Sequence, residues 1–371
     1  MSSETAAAAY DGATTAAAKA LEQACESSPG VPSFVAYANY LAAVGEDAQA
    51  EAMFEQALAT ADEDESRSNA ALGAAFYATF LEERQHHDRA ETVYQKALEL
   101  DAADPLALGN FAVFLHRVRR RYDDAEEHYR RAIDAHPRHA SILGKYANFL
   151  KHVRQDHGEA KRFYLRAIDA NPEHADSLGN YAVLLHGIKG DYKRAAEFYS
   201  RAVEADPSHT NNLGNFGLFK AEIEQDAAGA EALYQRAIAT NPSHANSLYN
   251  MAVLLDSVHK DYDRAEEFYR RALVANPAHS FSLYNYAVML EEVRHDYDQA
   301  EEMFERAVKA APADALALGD FAKFLLDVRH DATRALKLTR RAMKADPDSA
   351  SLPKQLKRCQ VAAQKQQKKR K

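Results

Sequence analysis

Apolar and small residues recur along this chain at helical spacing, and the whole pattern then recurs every 35 residues. The stretch Pro242 to Asn276, PSHANSLYNMAVLLDSVHKDYDRAEEFYRRALVAN, is followed at once by a near copy, PAHSFSLYNYAVMLEEVRHDYDQAEEMFERAVKAA, from Pro277 to Ala311. Further copies begin at Pro137, Pro172 and Pro207. A fixed period of this length marks a solenoid, in which each unit packs only on its neighbours. Within a unit the apolar spacing predicts two helices. In the unit from Pro242, helix A covers about Ala245 to Val258, HKDYD is the turn, and helix B covers about Arg264 to Ala275. Asp263 and Glu266 have the Asp-x-x-Glu spacing of a capping box, and Asp88/Glu91, Asp123/Glu126 and Asp298/Glu301 repeat it. Proline is expected to open the next helix A, where its missing N–H costs little.

Small and aromatic positions sharpen the picture. Helix A carries a small residue at Ala112, Ala147, Ala182, Gly217, Ala252 and Ala287. Helix B carries Ala125, Ala160, Ala195, Ala230, Ala265 and Ala300, then an aromatic four residues on (Tyr129, Tyr164, Tyr199, Tyr234, Tyr269, Phe304), then Ala132 to Ala307 three further. Proline follows five residues later in the last seven units, from Pro137 to Pro347. Alanines let neighbouring helices approach closely and the aromatic fills the gap between them. This A-x3-[FY]-x2-A-x4-P signature resembles the tetratricopeptide repeat (TPR). It covers nine units, about residues 33 to 347.

The resemblance implies an all-α, right-handed α-solenoid superhelix with helix A lining a concave groove. Residues 1–30 read as an Ala-rich, partly disordered leader, 31–350 as the solenoid, and 351–371 as a capping helix with a basic tail. A short helix from Ala16 to Cys25 and disorder before Thr15 are expected within the leader. The chain departs from the family in two ways. Leucine (Leu143, Leu178, Leu213, Leu248, Leu283) replaces the large aromatic early in helix A, and an extra residue enters the turn near Val118, Val153, Ile188, Ile223, Val258, Val293 and Val328. A longer helix A or a wider turn, capped by that buried aliphatic, is expected. The first two units lack the extra residue, and their joint, ATADEDESRSNAALG, is long and acidic. Thr339 replaces the aromatic in the last unit, which reads as degenerate.

Charge changes the picture at one end. The total is −9, yet Lys354 to Lys371 holds eight basic residues and no acidic one, so the body is more acidic than the total. That argues against nucleic acid wrapped along the whole array. The tail QKQQKKRK reads as a disordered solubilising end, a nuclear-import signal, or an anchor on RNA or anionic lipid. No apolar run spans a membrane and no signal peptide is read at the start. Cys25 and Cys359, far apart, form no disulfide framework and fit a reducing compartment. A cytoplasmic location follows, with the nucleus as the alternative.

The candidate chemistry lies two residues before the small position of helix A: Asn110, Lys145, Asn180, Asn215, Asn250 and Asn285, with Asp320 after them. An Asn amide offers one acceptor and two donors, matching the C=O and N–H of an extended peptide. The row resembles the asparagine ladder of the TPR superhelix in O-GlcNAc transferases, which grips peptide backbone. The other reading is that these residues bond within or between adjacent helices A. Gly109, Gly144, Gly179, Gly214 and Gly319 precede this row, replaced by Tyr249 and Tyr284. The glycines favour an open groove or close approach of a neighbouring helix, and the tyrosines a local aromatic pocket or ordinary packing. A carboxylate clamp is disfavoured, because Ser141, Asp176, Asn211, Asn246 and Phe281 occupy its lysine positions. His139, His174, His209, His244 and His279, one period apart, are too widely spaced to chelate one ion as a set. Paired acids on helix B read as solvated outer faces. No nucleotide loop, nucleophile elbow or zinc-protease motif occurs. The expectation is a non-catalytic scaffold without cofactor that binds other proteins through peptide contacts at Asn110, Lys145, Asn180, Asn215, Asn250, Asn285, Tyr249 and Tyr284. The alternative is an RNA-processing scaffold of half-a-TPR type, which the absence of Trp disfavours.

Overall fold

The computed structural model describes residues 16–60 and 67–370 of the 371-residue chain. The stretch before Thr15 and part of the acidic joint lie outside the described residues. Every regular element described is helical. After α1 (16–27), a first unit ending at Lys189 contains the pairs α2 (Val31–Ala43) and α3 (Asp47–Ala59), α4 (Arg67–Glu83) and α5 (His87–Leu100), α6 (Pro105–Phe114) and α7 (Tyr122–Ala135), and α8 (Ala140–Phe149) and α9 (His157–Ala170), then α10 (Ala175–Leu184). The second unit, from Gly190, begins with α11 (Tyr192–Ala205). The pairs α12 (Thr210–Phe219) and α13 (Ala227–Thr240), α14 (Ala245–Leu254) and α15 (Tyr262–Ala275), α16 (Ser280–Met289) and α17 (Tyr297–Ala310), and α18 (Ala315–Asp327) and α19 (Ala332–Ala345) follow, closed by α20 (Leu352–Arg370). Each is an all-α helix-turn-helix stack, as the periodicity predicts.

The alanine–aromatic frame is the core. Ala125, Ala132 and Ala147 are wholly buried, and Tyr129 between them lies 5.5 Å from Tyr146 and 5.6 Å from Phe149, centroid to centroid. Tyr269 and Tyr286 repeat the arrangement at 5.8 Å in the second unit. Because alanine projects only a methyl, the helices close until the ring alone fills the interior.

The extra residue is absorbed by a π-helical turn. In the first unit α6, α8 and α10 widen into Leu115–Arg119, Leu150–Arg154 and Leu185–Lys189. In the second, α12, α14 and α16 widen into Lys220–Glu224, Leu255–His259 and Leu290–Arg294. The residue after such a turn is left-handed, as at Arg120, Gln155, Lys260 and His295, with φ of 55° to 59°. The recurring aliphatic is not buried as expected: Ile188 is 43% and Val258 55% exposed, and Val118, Val153, Ile223, Val293 and Val328 are half-buried. One residue advances a helix by about 100°, so the insertion turns that position off the buried stripe. Leu115, Leu150, Leu255 and Leu290 take the buried place instead.

Two further expectations are corrected. Proline at 137, 172, 207, 242 and 277 lies in the turn before helix A, not in its first turn. It acts one residue earlier, on the residue it follows: Asn171 and Asn276 are extended, with φ near −140°, which stops helix B. The Asp-x-x-Glu pairs do not cap either. Asp261 caps α15 and Asp296 caps α17. Asp263 and Glu266 instead receive Arg294 from the next repeat, at 2.5 and 2.9 Å. Arg154 reaches Asp123 and Glu126, Arg119 reaches Asp88 and Glu91, and Arg329 reaches Asp298 and Glu301 in the same way. These helix B acids are therefore inter-repeat staples rather than simply a solvated face.

Candidate functional site

Positions 110, 145 and 180 in the first unit and 215, 250 and 285 in the second are all half-buried on their first helices. Part of the row bonds internally. In the first unit Lys145 Nζ donates to Asn110 Oδ1 at 2.6 Å, and Asn110 Nδ2 to Thr79 Oγ1 at 3.5 Å. In the second, Asn285 Nδ2 donates to Tyr249 Oη and to the Phe281 carbonyl, both at 3.0 Å. Tyr284 Oη donates to Asp320 Oδ2 at 2.7 Å. Asn180, Asn215 and Asn250 make no side-chain hydrogen bond among the described residues.

A hollow of about 320 Å³ opens in each unit beside this row. The first-unit hollow is polar, lined by Lys145, Asn180, Asn148, Arg117, His116 and Asp176 among others. Burial pushes the Lys145 ammonium below its ordinary pKa, against the pull of Asp176 and Glu82. Lys151 is pushed the same way by burial. The second-unit hollow is more apolar, lined by Tyr249, Asn250, Phe281, Leu218, Val253 and Val258, with Glu222 at its edge. Tyr249 thus lines it and Tyr284 does not; the Tyr284 ring lies edge-on to Phe304 at 6.4 Å.

The glycine row belongs to packing, not to an open groove. All five glycines are buried. A Cβ on Gly144 would meet Ser177 Oγ at 2.6 Å, and one on Gly214 would meet Ser247 Oγ at 3.1 Å. The next first helix passes where a side chain would stand.

The histidine row has a function that sequence reasoning missed. The Nδ1 atoms of His174, His209 and His279 accept from the backbone amides of Ser177, Asn212 and Ser282, capping helix A. In the second unit, Nε2 of His244 lies 3.0 Å from Asn211 Oδ1 and that of His279 2.9 Å from Asn246 Oδ1. That network requires the neutral tautomer protonated at Nε2. Burial lowers the pKa of His244 and His279, in the same sense. Pro-x-His three residues before a small polar residue was the available signal.

No helix among the described residues is long and apolar enough to cross a membrane. A family model described as tetratricopeptide repeat matches residues 153–210, 224–280 and 289–350, and another, described as TmcB, TPR repeats, matches residues 106–177. No curated protein matches. Among solved structures, the chain resembles one in the crystal structure of the APC/C hetero-tetramer Cut9–Hcn1 at 13% identity and TM-score 0.53, covering 95% of this chain and 94% of that one. It also resembles a tetratricopeptide repeat protein from Parabacteroides merdae at 17% identity and TM-score 0.50, covering 69% and 98%. Identities this low speak to the fold alone.

Proposed function

The chain belongs to the tetratricopeptide-repeat proteins, and we propose that it is a non-catalytic scaffold that holds an extended segment of a partner protein along the face lined by its first helices. Repeats of this kind generally serve as protein–protein interaction scaffolds. The carrying observation is that half-buried amides have no hydrogen-bond partner among the described residues in either unit: Asn180 in the first, Asn215 and Asn250 in the second. A peptide backbone offers each of them the donor and acceptor it lacks. Each contact nets about 0.5–1.5 kcal/mol, so Asn215 and Asn250 of the second unit together account for roughly one to two decades of affinity. The internally bonded members, Asn110, Lys145, Asn285 and Tyr249, hold neighbouring first helices in register, and a ligand would have to exchange those bonds.

The test is affinity capture from a lysate with the full chain and with the Asn180→Ala, Asn215→Ala, Asn250→Ala triple variant, after nuclease treatment. Loss of most captured proteins at unchanged helicity is expected. An unchanged partner set would remove the three amides from the binding face. Capture that vanishes with nuclease alone would point to RNA instead.

A further inference from the structure

The second unit carries carboxylates that its staples do not use. On helix B, Asp263, Glu266, Asp298, Glu301 and Glu305 all meet arginine. In the π-helical turns and α18 of the second unit, Glu222, Asp256, Glu291, Glu292 and Asp320 make no ion pair among the described residues. They share one field. Glu222 acts on Tyr249, Asp256 feels Glu292, and Glu291 feels both Glu292 and Asp320. Burial pushes the carboxyls of Asp256 and Glu291 above the ordinary range. The cations near them are Lys260 and Lys323; Lys220 is already taken by Glu224 and Asp226, at 2.9 and 3.1 Å.

Acids alone would be a solvated surface. Here Glu222 lines an apolar groove, Asp256 adjoins Ser257 in the same lining, and Glu292 acts on Asp256. Phe281 is 59% exposed and Val258 55%, and both line the hollow of about 320 Å³ with Tyr249 and Leu218. Phe281 stands 6.0 Å from the Tyr249 ring, which is itself 5.4 Å from His279, so the exposed ring rests on a fixed platform. An exposed aromatic over a preformed hollow is the usual anchor of a binding surface. The surrounding negative charge repels phosphate, which excludes nucleic acid and anionic lipid as occupants and favours a cationic chain.

Resting on the reading above, we propose that this groove receives a lysine- or arginine-bearing segment of a partner protein, with one aliphatic or aromatic side chain of that segment seated between Tyr249, Phe281 and Val258. The basic residues on either side of the anchor meet Glu222 on one flank and Asp256 and Glu292 on the other, and Asn250 holds the backbone.

The probe is a phage-displayed random 12-residue peptide library, selected on the full chain and on Glu222→Gln/Glu292→Gln and Phe281→Ala variants. These side chains are exposed, so the variants keep the fold. The wild type is expected to enrich peptides with lysine or arginine flanking one large apolar residue. A synthetic enriched peptide should bind at least tenfold more weakly to either variant, and the charge variant should show a flatter salt dependence. Enrichment of acidic or neutral peptides, or binding indifferent to both variants, overturns the proposal. If the enriched peptides ignore both variants but are lost with the asparagine triple variant, the scaffold reading survives and this groove assignment fails. If nothing is enriched and the triple variant still captures every partner, both fail. Concentration-dependent dimerisation that Phe281→Ala abolishes would assign the groove to the basic tail of a second copy and also overturn a separate partner.

Discussion

Tyr129 and Tyr164 occupy the same position in successive repeats, and the same substitution at the two sites should have opposite signs. Both rings are buried. The Tyr164 hydroxyl donates to Asn148 Oδ1 at 2.5 Å, whereas the Tyr129 hydroxyl is buried without a partner among the described residues. Burial alone pushes the Tyr129 phenol up, with Arg117 opposing weakly. An unsatisfied buried hydroxyl costs about 1–3 kcal/mol. Tyr129→Phe recovers that and leaves a void of roughly 10–15 Å³, which at about 24 cal/mol per Å³ costs about 0.3 kcal/mol. The net expectation is a gain of about 0.7–2.7 kcal/mol. Tyr164→Phe loses a bond and strands the Asn148 carbonyl, a loss of about 0.5–1.5 kcal/mol. Repeat arrays open locally, so the assay is native-state amide hydrogen exchange across α7 and α9, where 1.4 kcal/mol is a tenfold change in protection. Protection in α7 should rise with Tyr129→Phe, and protection in α9 should fall with Tyr164→Phe. If Tyr129→Phe lowers protection as Tyr164→Phe does, the hydroxyl is satisfied in solution and the reasoning fails.

Two further outcomes are expected. A double-mutant cycle on Arg294 and Glu266, with side chains 31% and 14% exposed, should show a coupling of about 0.5–1 kcal/mol, discounted for solvent screening; urea unfolding in 1 M salt should shrink it, and a salt-independent coupling would mean packing rather than charge. His244 and His279, each bonded through Nδ1 to the serine three residues on, have pKa values lowered on folding, so the unfolded chain binds more protons as pH falls through the unfolded histidine range, near 6.5. Stability contributed by neutral histidine is therefore present above that range and lost below it. His244→Asn/His279→Asn places a favourable N-cap residue at both positions without the titration, and should flatten the fall in unfolding midpoint between pH 7.5 and 5; an unchanged slope would remove the two histidines as its source.

Legibility followed the range of each interaction. The helix pairs and the alanine–aromatic frame were readable because each contact recurs at a fixed offset, so the period repeats the same packing instruction. The inserted residue was counted correctly, but its form as a π-helical turn was not, since a wider turn and a longer helix have the same length in sequence. The Asp263–Glu266 pair misled because its local spacing suits a cap, while Arg294, a repeat away, competes for both carboxylates and Asp261 already satisfies the helix start.

The candidate binding row shows the division most sharply. Periodicity by itself determined that Asn110, Lys145, Asn180, Asn215, Asn250 and Asn285 occupy equivalent positions on successive first helices. Only the tertiary structure decided which are spent, because that depends on what the neighbouring repeat presents: Lys145 reaches Asn110, and Tyr249 reaches Asn285, while Asn180, Asn215 and Asn250 meet no such group. The same holds for Phe281, one more first-turn residue in sequence, which becomes an exposed ring over a hollow because Tyr249, in the preceding repeat, stands beneath it. A repeat specifies its own fold through local spacing, but its open surface is made by side chains from different repeats meeting across the gap between helices.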